Sequence, residues 1–323
     1  MSSSSRWRCL RPWPTRVSTS RLRTCASCRR ARGLSFLPTQ PSASVLNGRH
    51  ASRLRGRGLN FEEMRDYLPG DDIRSIDWKA TARTGSPHVR VFTEEKDRPA
   101  LLVVDQRMSM FFGTQHNMKS VSAAEAAAVA AFRVLEAGDR VGGIVFDDDE
   151  QHEFKPRRSK RAVYALLEAV EKLNNGLHAE RGGESKPGRL NEVLRSAVRL
   201  AHHDHLVIVM SDFAGIDADT HRHLSNLARH NDLIIMHVHD PAITNVQGSG
   251  KAVLGNVEQQ AEIDFDAGSA REAINNLGKR RLQTIYDWQH EINLSVVPLS
   301  AGEETLPQIR RLLASYGPRR RVR

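Results

Sequence analysis

From Ala100 onward, short unbroken apolar runs alternate with longer segments in which apolar residues recur every three or four positions. The runs are "ALLVVD" (100–105), "DRVGGIVF" (139–146), "HLVIVMSD" (205–212), "DLIIMHVHD" (232–240) and "NLSVVPL" (293–299). A continuous apolar run of this length predicts a strand covered on both faces. Between and after them lie helix-period segments. These are an Ala-rich stretch over 120–138 closed by Gly138, then 160–176 ended by Gly176, 189–203, 217–231, 269–292 and 304–316. The Ala-rich stretch has small residues all round, which suits close packing on a sheet. "KAVLGNVEQQAEIDFD" (251–266) reads as a hairpin turning at Gly255-Asn256. Strands alternating with helices predict an α/β fold, a mostly parallel sheet with right-handed crossovers and helices on both faces.

Upstream, residues 34–99 are read as an N-terminal extension of short strand and helix segments. Pro69-Gly70 suits a type II turn. Asp71 or Asp72 can then cap a short helix, with Ile73, Ile76 and Ala80 on its inner side. Thr84-Gly85-Ser86-Pro87 ends that helix, and "HVRVF" (88–92) alternates as a strand.

Composition changes the picture only at the ends. The net charge of +10 suggests a polyanion partner until it is mapped. Residues 1–60 hold 13 Arg, no Lys and no acid; without them, 35 basic residues face 38 acidic ones. The charge is a tail, and the total gives no support to a specific nucleic-acid face on the folded part. Residues 1–33 are expected to be an unstructured start, or a start assigned too far upstream, and 317–323 a basic end. Cys9, Cys25 and Cys28 all fall in the tail, so a disulfide scaffold is not expected and a reducing compartment fits. No run reaches the ~18 apolar residues of a membrane span. A cytoplasmic protein is expected, reaching the inner membrane, if at all, through partners.

Three strands end in aspartate: Asp105, Asp212 (after Ser211) and Asp240. On neighbouring strands these carboxylates converge, at the edge where open α/β sheets bind ligands. Converging like charges need a cation. "DQRMS" places Asp105 and Ser109 at two-thirds of a D-x-S-x-S metal loop, but the middle position is Arg107. Three readings stay open: Arg107 forks onto one or two carboxylates in place of the ion, Arg107 points to solvent, or a metal is retained on Asp105, Ser109 and Asp212.

The block "GRGLNFEEMRDYLPGDDIRSIDWKATARTGSPHVRVFTEEKDRP" followed by "LLVVDQRMSMFFG" resembles the bacterial family called "domain of unknown function 58". Within the block, Arg65, Tyr67, Pro69, Gly70, Asp71, Asp72, Arg74, Asp77, Trp78 and Arg83 carry the signature. The resemblance implies a von Willebrand factor A-like, Rossmann-like domain over 100–316, and a non-enzymatic adaptor working with MoxR-type AAA+ ATPases and other von Willebrand A-type proteins in complex assembly or maturation. It implies a metal-ion-dependent adhesion site, made degenerate here by Arg107 and by the lack of the usual Thr, Ser185 being the nearest hydroxyl. Mg2+ is the ion such a site would hold.

Other signals are weaker. Gly248-Ser-Gly-Lys251 lacks the Ser or Thr and the helix of a P-loop. His202, His203 and His205 are expected at a solvated helix end, and His237 and His239 as hydrogen-bonded core residues. Asp147 to Glu150 is expected to be a solvated loop. No nucleophile has a base placed beside it. The alternative function is a metal-dependent hydrolase using Asp105, Asp212 and Asp240.

Overall fold

The computed structural model describes residues 59–94, 99–178, 186, 188–244, 251–255, 260–264, 268–292 and 294–316. The Arg-rich tail with its three cysteines, Ser185, residues 248–250, the hairpin tip at Asn256 and the basic end lie outside them. The chain divides into two compact units, one containing residues 59–94 and the other the residues from 99 onward.

In the first unit, β1 (Leu59–Asp66) pairs antiparallel with β2 (His88–Glu94). Leu68–Asp71 forms the expected turn: the Asp71 N–H donates to the Leu68 carbonyl at 3.0 Å, with Gly70 at φ +109°. The single helix expected next is split. Asp72 caps a 3-10 turn (Ile73–Ser75), Ile76 is extended and bridges Val89, and Asp77 starts α1 (Trp78–Thr84). Ala80 is buried as expected, but Ile73 is exposed. Pairing of Ile76 with β2 breaks the helical period, and the Asp77 carboxylate, accepting from the Lys79 and Ala80 N–H groups, restarts it.

The second unit is built on a six-stranded sheet of order β10-β7-β6-β3-β4-β5. Its strands are β3 (Ala100–Asp105), β4 (Val141–Phe146), β5 (Gln151–Arg157), β6 (Leu206–Ser211), β7 (Asp232–His239) and β10 (Leu294–Ser300). All pairs are parallel except β4 with β5. β8 (Lys251–Gly255) and β9 (Gln260–Asp264) form a separate hairpin. Lys251 therefore opens a strand, against any P-loop. β1 and β5 were not legible in advance: β5 has one large apolar residue, Phe154, and an edge-type Pro156.

The fold is thus mixed α/β, with a central mostly parallel sheet flanked by helices. On one face lie α2 (Lys119–Glu136), α3 (Lys160–Asn175) and α8 (Thr305–Tyr316); on the other lie α4 (Arg189–Leu200), α5 (Ala218–His230) and α7 (Gly268–Glu291), with the short α6 (Pro241–Thr244) after β7. Side chains alternate along β3: Leu102 and Val104 join the α2 face, Leu101 and Val103 the other. Chain order reverses at β3, whose neighbours are β4 and β6, so the switch point falls at the carboxyl ends of β3 and β6.

Gly143 on β4 shows how tightly α3 sits on the sheet. A Cβ there would lie 2.6 Å from the Leu166 Cδ1 atom and 2.5 Å from the Leu102 carbonyl oxygen. Gly143→Ala is expected to lower unfolding stability by about 1–3 kcal/mol, measured by urea denaturation.

Candidate functional site

Asp105 ends β3 and is fully buried. Arg107, only 3% exposed, closes on it from two residues away. Its backbone N–H donates to Asp105 Oδ1 at 2.9 Å, Nε reaches both oxygens at 3.1 Å, and Nη2 donates to Oδ2 at 2.8 Å. Ser211, ending β6, donates its hydroxyl to the same Oδ2 at 2.6 Å. The remaining Nη1 is tied to the Ala214 carbonyl at 3.1 Å, and the guanidinium carbon lies 5.8 Å from the centre of the Phe146 ring. Burial alone would weaken the charge on Arg107; the Asp105 carboxylate outweighs it and raises the pKa.

Asp212, next on the β6 end, has a cation of its own. Lys119 Nζ donates to Asp212 Oδ2 at 2.6 Å, with both side chains almost wholly buried. Ser109 Oγ and the Ala214 N–H donate to Oδ1 at 3.2 and 3.0 Å, and Arg107 Nη2 stands 3.8 Å away. Burial pushes the Asp212 pKa up, but Lys119 and then Arg107 overcome it, so the carboxyl titrates below its usual range. Its folded-state contribution is complete above the ordinary carboxylate pKa and is lost as pH falls toward the lowered one. Phe213, the next residue, holds a left-handed backbone at φ +53°, a strained conformation fixed by its N–H donating to Ser211 Oγ at 2.9 Å.

Lys119 was not anticipated. It opens α2, where the helix dipole disfavours a cation. A lysine at that position beside an Ala-rich buried helix was the available signal that a carboxylate lay opposite. Asp240 corrects the expected triad of carboxylates: it accepts from the Thr114 N–H and hydroxyl at 2.8 and 2.6 Å and from the Ala242 N–H at 2.9 Å, a separate set of uncharged donors. The Asp147–Glu150 loop is also not simply solvated. Buried Asp147 accepts from the Asp149 and Glu150 N–H groups, and Asp148 accepts from the Met108 N–H at 2.7 Å, bracing the loop after β3. Burial raises the Asp148 pKa.

This donor set does not fit an oxygen-ligated divalent cation. Five donor contacts cover the two oxygens of Asp105, where a carboxylate offers about four lone-pair sites. Two buried cations already balance two buried carboxylates. Among the described residues, no group of three or more His, Cys, Asp or Glu is arranged to hold a metal ion.

Several signature residues of the first unit have local structural tasks. Arg65 forks onto Asp71 through two 2.8 Å bonds, and this pairing holds the Asp71 pKa down. The Tyr67 N–H donates to the Pro87 carbonyl at 2.9 Å, closing the loop. Arg74, Trp78 and Arg83 are exposed.

Residues 63–284 match the family described as "Protein of unknown function DUF58". The chain belongs to this family. Relatives of the DUF58 chain include "Uncharacterized protein Rv1480" of Mycobacterium tuberculosis (strain ATCC 25618 / H37Rv) and "Uncharacterized protein Mb1516" of Mycobacterium bovis (strain ATCC BAA-935 / AF2122/97). Each is 28% identical over 234 residues, 72% of this chain and 72% of the relative. A solved structure, "Crystal structure of conserved hypothetical protein BatB from Bacteroides thetaiotaomicron", aligns with a TM-score of 0.39 at 11% identity over 68% of this chain and 98% of that one, a likeness too slight to bear on fold or function.

On β7, His237 and His239 stack with ring centroids 5.7 Å apart and 8° between planes. Neither Nδ1 has a side-chain or backbone partner within hydrogen-bond distance among the described residues, although a backbone hydrogen bond with His237 acts on the His239 ring. Burial, and next the neighbouring His239, lower the His237 pKa to about 3.

Two predictions follow from this chemistry. Lys119→Met is expected to destabilise the DUF58 chain by about 3–5 kcal/mol, because it strands a buried carboxylate. Adding Asp212→Asn should recover most of that loss in a double-mutant denaturation cycle. Because His237 stays neutral when folded, the unfolded chain binds a proton first as pH falls below 6.5. Stability is therefore greatest above that value and declines toward about 3, by up to ~1.4 kcal/mol per pH unit for this residue. His237→Gln should remove about one proton's worth of that slope in urea melts across the window.

Proposed function

We propose that this DUF58 chain is a non-enzymatic interaction module, a von Willebrand factor A-like domain in which Arg107 and Lys119 have taken the place of the adhesion-site ion. The observation that carries this reading is the closed clamp at the switch point, Arg107 on Asp105 and Lys119 on Asp212. A hydrolase using these aspartates would need them open to metal and substrate, whereas their oxygens face internal donors in the dry interior. The clamp instead works as a fixed counter-charge that sets the shape of the loops around it. Those loops, 106–117 after β3 and 213–217 after β6, would form the contact edge, with Ser109, Ala214 and Ile216 partly accessible.

The partner we propose, on the strength of the family resemblance, is a MoxR-type AAA+ ATPase, with other von Willebrand A-type proteins in the same assembly. No helix among the described residues is long and apolar enough to cross a membrane. The test is binding of the full chain to the purified MoxR-type ATPase of its own source, by calorimetry with and without a chelator. The reading predicts an unchanged affinity in EDTA and no heat when Mg2+ or Mn2+ is titrated into the free chain. A complex that forms only with added Mg2+ on the DUF58 chain, or turnover of a phosphoester that Asp105→Asn abolishes, would sink it.

A further inference from the structure

The large apolar side chains most exposed among the described residues are Met64, Leu68, Ile73 and Trp78, and all four belong to the first unit. Trp78 is 66% exposed and Ile73 62%. Exposed apolar side chains gathered in one small unit point to an interaction region, and Trp and Arg are among the residue types that most often carry binding energy at interfaces.

The charges around it say what it fits. Arg74, Lys79 and Arg83 are exposed, and among the described residues they enter no ion pair. The neighbouring acids make hydrogen bonds within the unit, and Asp66 and Asp72 stay exposed just before the stretch. Asp66 pairs with His88 and Asp71 with Arg65. Asp72 and Asp77 hold the N-terminal N–H groups of the 3-10 turn and of α1. Between Ile73 and Arg83 the only acid is Asp77, and it is buried. Among the described residues, Arg74, Lys79 and Arg83 thus stand in sequence around Ile73 and Trp78 without an ion pair, and no exposed acid lies between them.

We infer that the Ile73–Arg83 stretch is a docking surface for an acidic protein segment carrying apolar side chains. Carboxylates would meet Arg74, Lys79 and Arg83 while a hydrophobic residue covers Trp78 and Ile73. A nucleic acid is the poorer match: Trp78 alone offers it a stacking plane, whereas Ile73, Leu68 and Met64 offer aliphatic surface that suits an apolar protein side chain. No residue of the strand-end clamp takes part in this surface.

The test uses the full chain and a fluorescein-labelled helical peptide with Glu on one face and Leu on the other, read by fluorescence anisotropy. Controls are the same peptide with Gln for Glu, and a single-stranded oligonucleotide of equal charge. Expected results are salt-sensitive binding of the acidic peptide, weakening of about tenfold or more in Trp78→Ala, and loss of the salt dependence in Arg74→Gln/Lys79→Gln/Arg83→Gln. The variants are expected to melt at the wild-type temperature. The proposal is overturned by an affinity unchanged in Trp78→Ala, by equal binding of the Gln peptide, or by oligonucleotide binding that is tighter and Trp78-dependent. Self-association that Trp78→Ala abolishes would assign the surface to a second copy and overturn it too, as would a large drop in melting temperature, which would place Trp78 in an internal contact.

Discussion

Two carboxylates held at the crossover of an open parallel sheet cannot both stay ionised in a dry interior without positive charge beside them. Asp105 and Asp212 occupy that position because β3 and β6 are neighbours and each run ends in an acid. The chain resolves the conflict with its own side chains. Arg107 supplies a planar fork that a carboxylate can accept edge-on, and Lys119 supplies a compact charge from the first position of α2. Much else follows from this neutralisation: Ser211 and Ser109 turn inward to complete it, and Phe213 accepts a left-handed backbone beside it.

The arrangement couples elements that are far apart in sequence. Lys119 ties the start of α2 to the end of β6, Asp148 ties the β4–β5 turn to the loop after β3, and Arg281 of α7 reaches the Asp212 carbonyl at 3.4 Å. A removable ion would leave such loops free to change shape on binding or release. Tethered cations hold the arrangement in place, as the proposed docking role requires and as metal-dependent catalysis on these aspartates would not. The exposed apolar and basic stretch of the first unit gives the chain a second, chemically different surface.

The parallel sheet was legible because each strand buried on both faces must be continuously apolar, and no other local structure writes that pattern between helix-period segments. β5 escaped notice because an edge strand needs neither continuous apolarity nor every N–H, and its Pro156 argued against a strand. The split helix after Pro69 escaped because its break is tertiary: Ile76 pairs with Val89 on a strand that local periodicity cannot see. At the site, spacing alone put Arg107 within reach of Asp105, since two residues is a local matter. The partner of Asp212 lies 93 residues away, and that of Asp240 is Thr114, 126 residues away. Strand-end position tells which carboxylates share an edge, not which donor each one finds.

The most direct test of the account is a crystal structure of the full chain grown in millimolar Mn2+, with anomalous difference maps calculated at the manganese edge. The account predicts no manganese peak between Asp105 and Asp212, with the Arg107 guanidinium still on Asp105 and Lys119 on Asp212. A bound manganese ligated by those two aspartates, with Arg107 turned out to solvent, would contradict it.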